Sequence, residues 1–467
     1  MTHGAISDFP PLSPSDLGDP RFRRLHGLEL AYVVGEMARG IANEAVVAAA
    51  AKAGALGFFG AAGLGLSRIE RAVDVLEAMG PGVFGINVIH QPGDPAAEAA
   101  LVDLLVRRDV RRVSTSAFLG LTGSVVRLAF AGARLGADGA LVRRHVFAKV
   151  SRPEVARQFL EPAPANLLAS LVRERLLSDE EALLAARHPV ADHLTVEADS
   201  AGHTDNRPLL VLFPIIARLR DAAARTFGYR EPTFVGAAGG LGEPHAIAAA
   251  FSLGAAYVLT GSINQATVEA GTSLAVKALL AQADIADVAM APAADMFELG
   301  VRVQVLKRGT MFAQRATRLG EVYRAHASLD EISPDVRARL ERDLFRKPIH
   351  AIEAEVEAFF RERSAATLEV ARKDPKARMA LVFRWYLGKS SRWAEEGETA
   401  RAMDFQIWCG PAMGAFNQWA TGTPLSLPEN RTIGAIALAL MHGAASAARQ
   451  SQARMGVTGP LASEDQR

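Results

Sequence analysis

The feature that most constrains the fold of this chain is a regular alternation, from residue 28 to about residue 282, of short β-branched or aromatic runs with alanine-rich helical stretches. This alternation is typical of repeated βα units around a parallel sheet. Eight such runs, each followed by a helical stretch, indicate a closed (β/α)8 barrel, or TIM barrel, rather than an open doubly wound sheet. The predicted strands are Leu30–Gly35, Leu56–Ala61, Phe84–Ile89, Arg112–Ala117, Val146–Val150, Leu194–Ala198, Thr233–Ala238 and Tyr257–Gly261.

The rest of the 467 residues fall into three further segments. Residues 1–27 are predicted to be a proline-containing leader, and residues 291–467 a mostly helical region appended to the barrel of residues 28–290. An insertion with helical periodicity occupies about residues 160–190, after the fifth strand, where Ser178 has the sequence context of an N-cap. It either helps to cover the mouth of the barrel or is a stabilising decoration. All four tryptophans lie between residues 385 and 419, and such aromatic density is typical of a core or an interface.

Composition excludes several classes of protein. The chain has 52 basic and 51 acidic residues, a formal charge of +1, and therefore no overall positive field to hold nucleic acid. Neither apolar run, at residues 46–66 or 433–448, reaches about 20 unbroken apolar residues, so no membrane span is expected. The single cysteine, Cys409, allows no internal disulfide, and no His/Cys cluster has zinc-site spacing. We therefore predict a cytoplasmic protein without a metal site.

Glycine-rich turns follow the last two predicted strands. Gly239 and Gly240 come after the seventh strand, and Gly261 with Ser262 after the eighth. Glycine lets backbone N–H groups approach an anion closely, and barrels commonly bind phosphate at these two positions. One glycine-rich turn is usually only a turn, but two such turns after adjacent strands favour a phosphate site.

Polar residues follow three other strands. The sixth strand runs through Glu197 into the loop TVEADSAGHTDNRP, in which the small Gly202 leaves room for a ligand beside His203. A histidine at the C-terminal end of a barrel strand can exchange a proton near neutral pH. The alternative is a structural loop closed by Asx and serine hydrogen bonds. Asn87, at the end of the third strand, and Lys149, at the end of the fifth, are placed to contact a ring edge or its developing charge, although such a lysine is ordinarily an exposed rim charge.

Longer segments carry a family resemblance. In sequence order the chain resembles the PfaD family of trans-acting enoyl reductases, within the nitronate monooxygenase and FabK-type superfamily of FMN barrels. The resemblance covers nearly the whole chain. It is carried by AKVSRPEVA, TVEADSAGHTDNRP, GAAGGLGEPHAIAAAFSLGAAYVLTGSINQATVEAGTS, APAADMFELGVRVQVLKRGTMF, FRWYLGKSSRWA and IWCGPAMGAFNQW.

The resemblance implies an oxidoreductase with bound FMN, with NADPH as electron source, acting on enoyl groups held by the acyl carrier protein of a polyketide or polyunsaturated fatty acid synthase. The family's catalytic histidine falls on His203, where Ala201 replaces the first glycine of the motif. The set assigned to cofactor binding is Asn87, Lys149, Glu197, Gly202, Gly239, Gly240, Gly261 and Ser262.

Two other functions stay open on sequence alone: a nitronate monooxygenase-like flavoenzyme, and a non-catalytic docking subunit of a synthase. The extra helical region argues against the first and the His203 loop against the second. A homodimer is also left open. Two basic clusters are either a surface for an acidic carrier protein or solvated faces. They consist of Arg342, Arg346 and Lys347, and of Arg372, Lys373, Lys376 and Arg378.

Overall fold

The computed structural model describes residues 12–80, 84–231 and 233–455, and residues 1–11 of the predicted leader lie outside this part. Its strands are β1 Tyr32–Val34, β2 Leu56–Phe59, β3 Phe84–Ile89, β4 Arg112–Ser116, β5 Arg134–Leu135, β6 Leu141–Val142, β7 His145–Val150, β8 His193–Glu197, β9 Gly202–His203, β10 Phe234–Ala238, β11 Val258–Thr260, β12 Val288–Pro292 and β13 Arg302–Leu306.

The α-helices, again in chain order, are α1 Pro20–His26, α2 Glu44–Lys52, α3 Leu66–Ala78, α4 Pro95–Arg107, α5 Gly123–Phe130, α6 Pro153–Leu160, α7 Ala165–Arg173, α8 Asp179–Ala185, α9 Leu209–Phe227, α10 Pro244–Ser252, α11 Ser262–Gln265, α12 Leu274–Ala281, α13 Phe312–Ala325, α14 Pro334–Arg339, α15 Ile349–Arg363, α16 Ala365–Lys373, α17 Pro375–Glu396, α18 Ala412–Ala420 and α19 Ile433–Arg454. Within the described ranges, no helix is long and apolar enough to cross a membrane.

The described chain forms two compact units, which we treat separately. The barrel unit contains the residues up to Asp199, Asp205–Ala270 and the residues from Trp419 onward. The second unit contains Ser200–Thr204 and Gly271–Gln418. The second unit thus interrupts the chain of the barrel unit at two places, as the short segment Ser200–Thr204 and as Gly271–Gln418.

Eight parallel strands close the barrel, in the order β1, β11, β10, β8, β7, β4, β3, β2. Closure is visible at Val33, which pairs with Leu259 of β11 on one side and with Leu56 of β2 on the other. The strands are largely buried because helices cover the outer face and side chains fill the inner one. Each of the eight predicted strands overlaps an observed barrel strand, so the predicted fold is confirmed.

The predicted insertion is also present, as α7 and α8. Ser178 caps α8 as expected: its hydroxyl accepts from the Glu181 N–H, and the Glu181 carboxylate accepts from the Ser178 N–H. The insertion follows α6, which has already returned the chain toward the strand N-termini, and Arg143, just before β7, donates to Pro189 O at 2.8 Å. The two alternatives for its role, a cover for the mouth and a stabilising decoration, stay predictions.

An unpredicted helix, α1, fills the end of the barrel at which the strands begin. Phe22 is fully buried and stacks on Tyr257, with ring centroids 4.5 Å apart. It also meets Phe147 and His193 edge to face, at 6.3 and 5.7 Å. Aromatic rings bury large areas, so this contact ties part of the predicted leader to the barrel core.

Next to Phe22, a hydrogen-bonded chain of buried side chains crosses the same end. Arg112 Nε donates to Nδ1 of His26 at 3.0 Å, so the proton of His26 lies on Nε2. That nitrogen lies 2.9 Å from Nε2 of His193, which must accept, so Nδ1 of His193 carries a proton. Nδ1 lies 3.1 Å from Oδ1 of Asp192 but makes no hydrogen bond of good geometry. His145, Asp192 and His193 lie close enough to hold a metal ion. These proton positions, however, make Nδ1 of His193 a donor rather than a ligand.

The C-terminal helix α19 belongs to the barrel unit. It packs against α10 and α2, and Gly443 approaches Pro244 so closely that a Cβ at Gly443 would lie 2.5 Å from the proline ring. Thr432 caps α19 by accepting from the Ala435 N–H. A segment assigned from sequence to the appended helical region thus covers two barrel helices.

The second unit is mostly helical, with a small antiparallel sheet of β12, β13 and β9 that the sequence did not indicate. Ile349 and Ile352 of α15 are buried, whereas Phe359 of the same helix is half exposed. Trp393 is buried, and the Arg401 guanidinium lies 4.2 Å from its ring centroid. This tryptophan is therefore a core residue, as aromatic density in this segment indicated.

Candidate active site

Polar side chains from neighbouring strands meet at one end of the barrel. Asn87 lies on β3, Lys149 on β7, and Glu197 is the last residue of β8. The C-terminal ends of parallel barrel strands share one face, at which barrel enzymes place their chemistry. Nζ of Lys149 lies 2.9 Å from Oε1 of Glu197. The structure thus brings together two residues that sequence reasoning chose separately.

A carboxylate that sequence reasoning missed, Glu36, joins this group. It lies two residues beyond β1, and its side chain is only 6% exposed. Oε1 of Glu36 accepts from Nδ2 of Asn87 at 3.2 Å and from Oγ of Ser114 at 2.9 Å. The Lys149 ammonium lies 3.3 Å from the same oxygen. An acidic residue directly after a fully buried strand was the available sequence signal, because buried acids almost always have partners.

The group formed by Lys149, Glu36 and Glu197 contains one cation and two carboxylates. Burial alone would lower the pKa of Lys149, but attraction to Glu197 and Glu36 outweighs burial and raises its pKa above the usual value. Lys149 is therefore a cation across the physiological range. One ammonium stands between two carboxylates, so the group has a formal negative charge. The alternative of an exposed rim charge is therefore wrong, whereas the predicted contact of Lys149 with a cofactor stays a prediction.

The two glycine turns have different backbone requirements. Gly239 and Gly240 both have positive φ, at 87° and 72°. A Cβ at Gly239 would lie 2.7 Å from the carbonyl carbon of Ala198, whereas a Cβ at Gly240 would meet nothing within 4 Å. Only glycine fits position 239 without moving the backbone, so this turn packs main chain against main chain.

The second turn follows the adjacent strand. Ala238 of β10 pairs with Leu259 of β11, so the two turns leave the barrel side by side. Gly261 precedes α11, and Ser262 is its buried first residue. The Asn264 amide donates to Thr260 O at 2.9 Å and ties α11 to the strand end. The predicted phosphate glycines therefore share one face of the barrel unit.

His203 lies in the second unit, on β9. It pairs with Val303 of β13, and its Nε2 lies 3.1 Å from Oδ1 of Asp295. Burial opposes ionisation of Asp295, but the hydrogen bond and charge of His203 prevail and lower the pKa of this carboxyl. Asp295 is thus an acceptor, and Nε2 of His203 is the donor. The partner lies 92 residues away in the chain, so sequence reasoning could not pair the two.

The backbone around His203 explains several of the motifs. Gly202 has φ of 73°, which favours glycine, whereas Ala201 is not in the left-handed region, so its extra methyl group is tolerated. Gln304 Nε2 donates to Ser200 O at 2.8 Å. A Cβ at Gly410 would lie 3.1 Å from the Ala201 nitrogen. The segments VRVQVLK and IWCGP therefore hold the histidine loop from within the second unit.

Residues on the C-terminal side of this loop are held within the barrel unit. Asp205 accepts from Ser151 Oγ at 2.6 Å and from Arg152 Nε at 2.9 Å. Asn206, in the left-handed region, donates to Asp199 at 2.9 Å. The motif AKVSRPEVA thus anchors the chain just after the histidine loop.

The basic clusters of the second unit have acidic neighbours within the chain. Arg342 bonds Asp343, Lys347 contacts Glu355, and Arg378 bonds Glu353 at 2.5 Å. Arg372 is likewise paired, with Glu357 and Glu369. These side chains therefore form a mixed surface rather than a continuous cationic patch.

Comparisons with known proteins place these features in context. A family model described as the inserted helical domain of acyl-carrier-protein S-malonyltransferase matches residues 326–405. The polyketide biosynthesis protein PksE of Bacillus subtilis is 43% identical over 92% of this chain and 56% of its own length. A polyunsaturated fatty acid synthase protein of Thraustochytrium is 43% identical over 92% of this chain and 29% of its own length. The chain therefore spans only part of each of these two relatives.

A solved structure matches along its whole length. The enoyl reductase domain of MlnA, from the macrolactin biosynthesis cluster of Bacillus amyloliquefaciens, is 35% identical, covers 94% of this chain and 99% of its own, and has a TM-score of 0.90. The similarity therefore includes the barrel strands, the histidine loop and the helical segments alike.

Proposed function

The chain belongs to the PfaD family of enoyl reductases, and on that premise we propose that it reduces the double bond of α,β-unsaturated acyl thioesters for a polyketide or polyunsaturated fatty acid synthase. The observation that carries the proposal is the full-length similarity to a domain described as an enoyl reductase. The proposal includes FMN as the cofactor, NADPH as the electron source and an acyl carrier protein as the partner. It also includes the cytoplasm as the compartment.

The residues present fit FMN. Gly239 packs against the backbone of Ala198, and the next residue, Gly240, has nothing within 4 Å of the position of a Cβ, which leaves room for a phosphate beside the turn. Gly240, Gly261 and Ser262 would complete the phosphate contacts. At the strand ends, Asn87 would contact the isoalloxazine ring. The charged side chains of Glu36, Lys149 and Glu197 would set the electrostatic potential around the ring. When bound, FMN supplies the transfer of hydride from NADPH to the β-carbon of the enoyl group.

His203 is the residue that we assign to proton transfer, from the family resemblance. Reduction of the enoyl group places negative charge on the thioester oxygen and the α-carbon, which a positioned acid can neutralise. Because Asp295 accepts from Nε2, donation from Nδ1 requires the imidazolium form of His203. The nearby carboxylate favours this form. Asp295 would therefore orient the ring and support the proton that the reaction consumes.

The decisive experiment loads crotonyl and longer enoyl groups on acyl carrier proteins from candidate synthases. The protein, FMN and NADPH are added, and the acyl group is weighed by mass spectrometry. A two-dalton gain that depends on both FMN and NADPH is expected. Oxygen uptake with propionate 3-nitronate and no reduction would instead favour a nitronate monooxygenase. Purification without any bound flavin, together with no reduction, would favour a docking role within a synthase.

Replacement of His203 tests its assigned role. His203→Ala should slow enoyl reduction by about 10²- to 10⁴-fold, the usual loss for a general acid, while the anaerobic reaction with NADPH alone changes much less. Stopped-flow absorbance follows the two half-reactions separately. Asp295→Asn is the matched variant, because it keeps an acceptor but removes the charge, and it should shift the pH profile of the enoyl step toward lower pH. Equal slowing of both half-reactions would assign His203 to cofactor positioning.

A further inference from the structure

The side-chain amide of Asn87 has a defined orientation. Its Nδ2 donates to Glu36 Oε1 at 3.2 Å, to the Ser114 carbonyl at 3.3 Å and to Ser116 Oγ at 3.0 Å. Two of these partners, a carboxylate and a backbone carbonyl, can only accept. The nitrogen therefore points at the barrel wall, and the carbonyl oxygen Oδ1 points away from these groups.

Oδ1 of Asn87 differs from the other oxygens of this group. No described residue donates a hydrogen bond to Oδ1, and protein atoms do not fully enclose it. By contrast, Oε2 of Glu36 is fully enclosed and has no hydrogen-bond partner. Oε2 cannot meet a ligand because protein atoms enclose it. Although Asn87 as a whole is only 2% exposed, Oδ1 is thus an acceptor that this end of the barrel can offer to a ligand.

Among the three partners, Glu36 decides the orientation. The Ser116 hydroxyl can donate as well as accept, so it would satisfy the amide in either orientation. The Ser114 carbonyl, at 3.3 Å, makes only a long bond. The Glu36 carboxylate accepts only, and hydrogen bonds to a charged acceptor are about twice as strong as neutral ones. A reversed amide would place Oδ1 against that carboxylate.

Resting on the proposed function, we propose that Glu36 is a positioning residue that makes Asn87 present its carbonyl oxygen to an N–H donor of the bound cofactor. The isoalloxazine ring has one such donor on its edge, the imide N3–H. Neither the role of Glu36 nor the direction of this hydrogen bond follows from the glycine turns or the histidine loop. The same geometry disfavours a ligand edge that offers only acceptors.

The test compares the dissociation constants of FMN and N3-methyl-FMN, measured by quenching of flavin fluorescence on binding. The wild-type protein should bind FMN at least about tenfold more tightly, since one hydrogen bond is lost and the methyl group must be accommodated. Asn87→Leu should bring this ratio close to one. Equal affinities in the wild-type protein would overturn the inference without any variant.

Two variants of Glu36 separate its acceptor from its charge. Glu36→Gln removes the charge but keeps a carbonyl that can accept from Asn87, and it should retain the wild-type ratio. Glu36→Leu removes both, leaves Lys149 paired with Glu197, and should lower the ratio several-fold. A wild-type ratio in Glu36→Leu, with the fold verified by circular dichroism, would overturn the role of Glu36.

The outcomes are distinguishable from failure of the proposed function. If the wild-type protein binds FMN tightly, but the ratio of the two dissociation constants is the same in Asn87→Leu and Glu36→Leu as in the wild-type protein, only this inference is rejected. Absence of FMN binding by the wild-type protein counts against both. The expected ratios without enoyl reduction leave the inference supported and reject the proposed reaction.

Discussion

Acid should destabilise the barrel unit through the buried histidines beside α1. Burial is the main cause that lowers the pKa of His26 far below its usual value, and the neighbouring His193, His145 and Arg112 lower it further. His26 is therefore neutral in the folded protein. The unfolded chain takes up a proton below about pH 6.5. Stability from this group is complete above that pH and is lost as the pH falls.

The size of the effect follows from linkage. For a histidine that stays neutral when folded and titrates near pH 6.5 when unfolded, the loss at pH 5.0 is about 2 kcal/mol. The lowered pKa of His193, again caused chiefly by burial, adds a loss of the same sign. His26→Gln keeps an acceptor for Arg112 and a donor for His193 but cannot titrate. It should remove about 2 kcal/mol of the pH-dependent loss.

The assay is urea unfolding at pH 7.5 and pH 5.0, followed by far-UV circular dichroism. His442→Gln is the matched control, because it makes the same chemical change at an exposed position of α19 in the same unit. The wild-type protein and this control should lose the same free energy of unfolding on acidification, and His26→Gln about 2 kcal/mol less. An identical loss in His26→Gln, or a wild-type protein that gains stability at pH 5.0, would refute the reasoning.

Two further predictions concern the barrel mouth. Gly240→Ala should cost only the left-handed backbone penalty, about 1–2 kcal/mol, whereas Gly239→Ala should cost about 1–3 kcal/mol more and weaken FMN binding, because its Cβ meets the Ala198 backbone. Equal melting temperatures of the two variants would contradict this. Lys149→Met removes the cation that faces the Glu36 and Glu197 carboxylates and should lose about 3 kcal/mol, part of which Glu36→Gln should restore in the double variant. Thermal unfolding measures the stability of the single and the double variant. A Lys149→Met protein as stable as the wild-type protein would reject the ion-pair argument.

The barrel could be predicted because its evidence is local and periodic. Each strand is a short buried run, and the parallel arrangement carries the residues after each run to one face. This is why Asn87, Lys149 and Glu197 could be chosen one by one. Glu36 was missed although it follows a buried strand, because its importance depends on partners from three other strands.

Other features were missed because they depend on distant parts of the chain. The helix α1 lies in a proline-containing segment, and only contact with Tyr257 shows that Phe22 belongs to the core. The strand β9 is two residues long and exists because β13 pairs with it. The carboxylate that holds His203 comes from a segment that shows no strand or helix pattern of its own.

The return of α19 to the barrel unit has a consequence for synthesis. As the chain leaves the ribosome, all eight barrel strands emerge before residue 271, but the helix that covers α2 and α10 is made only after the whole second unit. Until then the surface around Pro244 and α2 lacks its apolar cover. The nascent barrel therefore stays partly uncovered, and prone to aggregation, while about 160 further residues are synthesised. Only then does α19 cover the apolar surface of α2 and α10.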